Sequence, residues 1–389
     1  MASVLGKQII FGYQGNSEID NYHVAACLKH FVGYSAPFSG RDRTPAWIPE
    51  KYMEELYLPP FKSAIDAGAM TLMINSGDVN GIPGHANKHL LTDVLKKEWG
   101  FRGFTVSDWE DFIMLQTVHN VSENIEEAIV LGFNSGVDMS MVPNNPQYKE
   151  YCESMNSAIS SKKISKKRLN DATSRILRVK MALGLFDEKE EVSYPNFGSE
   201  DHKLMAYNSA LESITFLKNK SSVLPLSKNS KILIAGPTAN NLIYLNGAWT
   251  HTWQGADSAY NTIGGKTILE AFQAENGKEN CLYSIGADLK YENGWETSTL
   301  IDTFDFIEKS KQVEVIVLCL GEMPATEKPG DIHSLHLPKA QIKLAEIAYR
   351  TGKPVILVLA EGRPRIIHSI VEKADAIVQC YLPGDYGGE

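Results

Sequence analysis

A repeated pairing in the first 160 residues constrains the fold most: a short apolar run ends in polar residues, and a stretch with helical spacing follows it. The apolar runs lie at 26–32, 69–75, 104–106 and 137–141, and the helical stretches near 48–67, 87–99, 123–131 and 146–160. Strands that are apolar throughout are buried on both faces, which is the condition of a parallel sheet covered by crossover helices. Four such βα units make half of an eight-unit barrel. The half closes with SKKRLNDATSRILRVKMALGLF, where Leu169, Ala172, Ile176, Val179 and Leu183 recur every three or four residues and Gly184 can end the helix.

A change of texture follows. Residues 187–205 begin with the charged, aperiodic string DEKEEVSYPNFGSED, whose Pro195 and Gly198 mark a linker. Beyond it, strands at 231–235, 313–320, 354–359 and 376–380 alternate with helices near 265–274, 300–311, 338–350 and 364–372. The predicted fold class is therefore α/β. The C-terminal half of a (β/α)8 TIM-type barrel occupies 1–186, and an open parallel α/β sandwich domain occupies 206–389. A length of 389 residues suits two or three domains of about 150 residues each.

Composition excludes several classes of function. A net charge of −9, with no basic stripe, speaks against nucleic acid as a partner. Lys162, Lys163, Lys166, Lys167 and Arg168 read as the solvated face of a helix. No run reaches the roughly 18 apolar residues that span a bilayer, so no membrane partner is expected, and the first residues lack the apolar core of a signal peptide. Cys27, Cys152, Cys281, Cys319 and Cys380 show no CxxC spacing, and His333 and His336 fall in a Pro- and Gly-containing loop, so no metal is expected. GPTAN after the strand at 231–235 is a weak nucleotide signal, because both phosphate-cradling loop patterns are missing. No cofactor is expected.

The chemistry concentrates in GFRGFTVSDWEDF, at 100–112. A strand there delivers Asp108 beside Trp109 at its carboxyl end, where α/β folds bind ligands, and an indole is a sugar-sized platform. An Asp capping the next helix is the competing reading. Glycoside hydrolysis needs a second carboxyl group. The loop GEMPATEKPGDIHS offers Glu322, Glu327 and Asp331, with Glu327 in the middle. At about 17 residues it is long for a loop, and long loops are often functional, although a solvated acidic loop is equally consistent. Lys29 and His30, flanked by apolar residues in CLKHF, can donate to sugar hydroxyls, while a satisfied core histidine is the plainer alternative. Trp249 and Trp253 in GAWTHTWQG supply further aromatic surface, although either alone can simply pack.

The strings AACLKHFVGY, INSGDVNGIPGHANKHLLTDVLKKEWGFRGFTVSDW, RILRVKMALGLF, GAWTHTWQG and GKPVILVLAEGRPRII occur in one order. In that order the chain resembles the two-domain β-glucosidases and exo-β-glucanases of glycoside hydrolase family three, over nearly its whole length. The resemblance implies a retaining exo-acting β-glycosidase, foremost a β-glucosidase, with a β-linked oligosaccharide or aryl glucoside as substrate. It implies Asp108 as nucleophile and Glu327 as acid/base, with their carboxyl groups about 5–5.5 Å apart across the domain interface. It also implies that Lys29 and His30 bind the terminal sugar, that Met73 lines that subsite, and that Trp109 and Trp253 clamp the next sugar. Relative to the family the chain lacks half a barrel, including an Asp and an Arg that reach the terminal sugar, and it stops inside a motif at GDYGGE, so an internal fragment is expected. FVGYSAPFSGRDR has no His, which separates the chain from the N-acetylglucosaminidase branch. Rival expectations are a truncated noncatalytic sugar-binding fragment, a β-xylosidase and an exo-β-glucanase. Periplasmic or secreted location follows from the resemblance alone, and the oligomeric state is not legible.

Overall fold

The computed structural model describes residues 1–389 except 17–18, 145–146, 188–192, 261–264 and 293–294, so the centre of the expected linker lies outside the described residues. The chain divides into two compact units, Met1–Ser193 and Tyr194–Glu389.

In the first unit β1 (Cys27–Phe31), β2 (Thr71–Ile74), β3 (Phe104–Trp109) and β4 (Met139–Met141) form a parallel sheet in that order. The expected βα rhythm is present. Helices Leu58–Asp66, His89–Glu98 and Ile125–Ser135 connect consecutive strands, while Gln147–Ser160 and Lys166–Ala182 follow the last. Two helices lie outside the expected pattern, Ala2–Gln14 and the short Asp111–Thr117. Leu72, Ile74, Leu91, Leu95, Phe112 and Ile129 fill a core between sheet and helices. A buried ionic clamp joins helix to sheet. Asp138, just before β4, accepts from Lys96 Nζ at 2.7 Å, from the Thr105 N–H at 2.9 Å and from the Arg168 guanidinium. Burial pushes the Asp138 carboxyl up, but Lys96 and Arg168 outweigh it and hold the group below its usual range.

The second unit carries β5 (Thr215–Asn219), β6 (Ile232–Ala235), β7 (Cys281–Ser284), β8 (Val315–Gly321), β9 (Val355–Ala360) and β10 (Ala376–Tyr381), ordered β5-β10-β9-β8-β6-β7. Five strands run parallel and β5 pairs antiparallel with β10, so the sheet is mixed, with two edge strands that the apolar pattern did not place. An antiparallel edge strand on a parallel sheet can keep one face in water, and Phe216 and Leu217 are exposed. Helix Glu200–Ser213, capped by the Ser199 side chain, begins inside the stretch read as linker. Every residue of β8 is buried, as a central strand covered on both faces requires.

Candidate active site

Strand β3 turns a buried run into an exposed tip. Thr105 to Asp108 are buried, whereas Trp109 is 49% exposed. The strand can lie this close to β2 because Gly103 has no side chain: a Cβ there would sit 2.0 Å from the Met70 carbonyl oxygen. Asp108 is therefore fixed at the carboxyl end of an inner strand with its carboxylate ringed by donors. Oδ1 accepts the Trp109 N–H at 2.6 Å, and Oδ2 accepts from Ser76 Oγ at 3.0 Å and Arg43 Nη2 at 3.3 Å, with His30 Nε2 at 3.5 Å. Burial pushes the carboxyl up. The Trp109 N–H, Arg43, His30 and Ser76 together overcome that push and hold Asp108 below the usual carboxylate range, so it is ionised at neutral pH.

A layer behind Asp108 fixes its direction. The Asp108 N–H donates to His85 Nε2 at 3.4 Å, which leaves Nδ1 to carry the imidazole proton, 3.3 Å from Asp111 Oδ2. Burial, with a smaller push from His119, drives the His85 pKa from 6.5 to about 3 against the pull of Asp108, so the ring is neutral. Ser76 Oγ also lies 2.8 Å from Asp111 Oδ2, and His119 Nε2 lies 3.1 Å from the Ser76 carbonyl oxygen.

The other first-unit candidates sit close by. His30, at the end of β1, stacks against Tyr34 at 4.2 Å between ring centroids and faces Asp108. The Lys29–His30 and Phe31–Val32 peptide bonds are cis. Lys29 is exposed rather than enclosed, on a strand at the edge of the sheet. Met73 is half-buried on β2, opposite Val106 of β3. Arg43, Ser76, His85 and Asp111 were not singled out from the sequence. Their signal was compositional: a GRDR loop, and polar residues within INSGDVNGIPGHANK and SDWED.

In the second unit the loop after β8 separates its two glutamates by environment. Glu322 is buried, and its carboxylate accepts the Arg363 N–H at 2.8 Å, Arg363 Nε at 3.1 Å, Arg363 Nη2 at 2.9 Å and Arg365 Nε at 2.9 Å. Three of these donors converge on Oε2 and one on Oε1, and two guanidinium groups so close favour the ionised carboxylate over the protonated form that an acid needs. Glu327 is half-buried and immediately precedes the short helix Lys328–Gly330, and Asp331 follows it. Trp253 is exposed in the neighbouring loop, as is Trp249, whose N–H donates to the Trp253 carbonyl at 3.0 Å.

Two protein-family models match the chain. The glycosyl hydrolase family 3 N-terminal domain covers residues 1–179 and the family 3 C-terminal domain covers 214–389. A lysosomal beta glucosidase of Dictyostelium discoideum is 38% identical over 100% of this chain and 48% of its own length. A beta-xylosidase of Formosa agariphila is 34% identical over 100% of this chain and 54% of its own. Among solved structures, a beta-glucosidase from Listeria innocua in complex with isofagomine superposes with a TM-score of 0.87 at 29% identity, covering 99% of this chain and 52% of that one. The chain thus spans about half the length of the curated relatives it matches.

Proposed function

The chain belongs to glycosyl hydrolase family 3, and from that membership we propose that it is a retaining, exo-acting β-glycosidase releasing terminal non-reducing β-D-glucosyl residues. In this reading Asp108 attacks the anomeric carbon and forms a covalent glycosyl-enzyme. Glu327 protonates the departing oxygen, then takes a proton from the water that hydrolyses the intermediate. Lys29 and His30 hydrogen-bond hydroxyls of the terminal sugar, Met73 lines that subsite, and Trp109 and Trp253 offer aromatic faces to the next sugar. No cofactor enters the reaction as proposed.

One observation carries the reading: Asp108 is held ionised at the end of an inner parallel strand, beside an exposed indole. A nucleophile must be ionised before it attacks, and a buried carboxyl group without such donors would be neutral. Glu327 is preferred over Glu322 because the latter is buried and engaged by the guanidinium groups of both Arg363 and Arg365.

The test is mechanism-based trapping. A dinitrophenyl deoxyfluoroglucoside has a leaving group that needs little protonation and a sugar whose intermediate turns over slowly. Mass spectrometry of the treated protein should find the glycosyl group on the peptide containing Asp108, and Asp108→Ala should abolish it. Labelling elsewhere, or near-normal activity in Asp108→Ala, would remove the nucleophile assignment. A folded chain that neither labels nor turns over would favour the noncatalytic sugar-binding reading. Xylose specificity is the second reading, because one of the relatives is a beta-xylosidase, and a higher kcat/KM on nitrophenyl β-xyloside than on the β-glucoside would establish it.

A further inference from the structure

Glu327 has a backbone conformation, φ 55° and ψ −155°, that belongs almost entirely to glycine. A residue with a side chain stays there only when its neighbours over-determine it. Two side chains do so, one on each flank. Gln254 Nε2 donates to the Thr326 carbonyl at 3.2 Å while Gln254 Oε1 accepts the Thr326 N–H at 3.1 Å, so both ends of one amide are committed to the residue before Glu327. On the far flank Arg363 Nη1 donates to the Gly330 carbonyl, and the Gly330 N–H donates to the Glu327 carbonyl at 2.7 Å. Arg363 is itself gripped by Glu322.

Gln254 projects from a turn that its own backbone fixes. The Trp249 N–H donates to the Trp253 carbonyl at 3.0 Å and the Gly255 N–H to the Thr252 carbonyl at 3.2 Å. Gly255 sits at φ +71°, where a Cβ would come within 2.2 Å of the Gly247 carbonyl oxygen, so only glycine closes this turn. Trp253, the neighbour of Gln254, is 46% exposed.

We propose that Gln254 is a positioning residue for Glu327. Its amide grips the Thr326 backbone as a neighbouring strand would, and so ties the Trp253 turn to the carboxyl group. An aromatic surface for the leaving-group sugar and the acid that protonates its oxygen are thereby held at one fixed separation. The proposal rests on the acid/base reading of Glu327. A displacement of about 1 Å from the productive geometry can cost about 10²-fold in rate, and the loss must fall on substrates whose leaving group needs the proton.

The experiment compares wild type, Gln254→Ala, Gln254→Glu and Glu327→Ala on aryl β-glucosides of rising leaving-group pKa, with amide hydrogen exchange at Thr326 measured in parallel. Gln254→Ala should lose about 10²-fold in kcat/KM, which reports formation of the glycosyl-enzyme, on the poorest leaving group and under about threefold on the dinitrophenyl glucoside, with faster exchange at Thr326. Gln254→Glu keeps the acceptor for the Thr326 N–H and loses the donor, so it should fall between. An equal loss of kcat/KM on every substrate, or an unchanged leaving-group dependence of kcat/KM beside a steep one in Glu327→Ala, would overturn the positioning role. A flat dependence in Glu327→Ala would instead remove the acid/base reading. Unaltered exchange at Thr326 in Gln254→Ala would overturn the clamp whatever the turnover.

Discussion

Ser76 has one hydroxyl proton and two carboxylates within reach, Asp108 Oδ2 at 3.0 Å and Asp111 Oδ2 at 2.8 Å. When it points at Asp108 it stabilises the ionised form, and it is among the groups that hold that carboxyl low. A hydrogen bond to a charged group is worth roughly 1.5–3 kcal/mol and one pKa unit is about 1.4 kcal/mol. Ser76→Ala should therefore raise the pKa of Asp108, moving the acid limb of the kcat/KM profile up by about one pH unit. A limb that stays put would assign the proton to Asp111. Glu327 permits a test of opposite sign. Its glycine-like backbone costs of order 1–3 kcal/mol, and glycine itself costs roughly 0.5–1 kcal/mol in lost chain entropy. Glu327→Gly should thus raise the stability of the second unit by about 1 kcal/mol while removing turnover of poor leaving groups, and a lower melting temperature would show that no strain is relieved. The place of Asp108 at the carboxyl end of an inner strand was legible because a continuous apolar run is followed directly by polar residues. Arg43 was not, because it lies in an aperiodic loop and meets Asp108 from 65 residues away, a pairing that spacing cannot express.

At the scale of elements, the strand–helix rhythm holds because helices are bolted to the sheet from inside. Asp138 is the bolt of the first unit: its side chain is fully enclosed and joins Lys96 on the helix after β2 to Arg168 on the second helix after β4. Removing one partner of a buried ionic cluster leaves the others uncompensated, at about 3–5 kcal/mol. Asp138→Ala should lose about that much in urea unfolding, and Asp138→Asn less, since an amide oxygen still accepts from Lys96. A loss under about 1 kcal/mol would mean that Lys96 and Arg168 find water instead. Inner strands could be read from the sequence because continuous apolar runs have one meaning in a covered sheet. Edges could not. β5 reads TFLKN, with Phe216, Leu217 and Asn219 exposed, and the helix Asp111–Thr117 is only 7 residues long, too short to display a period. Glu322 illustrates the same limit for the site: the sequence offered it beside Glu327, and only the arginines folded back from beyond β9 separate the two.

For the whole molecule, one buried group in each unit couples stability to pH, and the two act in opposite senses over one window. In the first, burial drives His85 from 6.5 to about 3. The unfolded chain takes up that proton near pH 6.5 and the folded one only near 3, so between these values the unfolded state binds more protons and stability rises with pH. In the second, burial, assisted by Glu322 and opposed by the Arg365 N–H and guanidinium and by Gln379, pushes Glu361 from 4.5 to about 7. Here the folded state keeps a proton that the unfolded chain has already released, so stability falls as pH climbs from 4.5 towards 7. Calorimetry at pH 4.5 and at pH 6.5 should then show the transition of unit Met1–Ser193 moving up and that of unit Tyr194–Glu389 moving down. Shifts of this size amount to a few kcal/mol, at about 2–4 °C per kcal/mol for domains of 150–250 residues. His85→Gln, which loses the titrating ring, should flatten the first response alone, and Glu361→Gln the second alone. If both transitions move together and neither substitution separates them, the folded-state proton affinities of these two buried groups do not govern the acid stability of the protein.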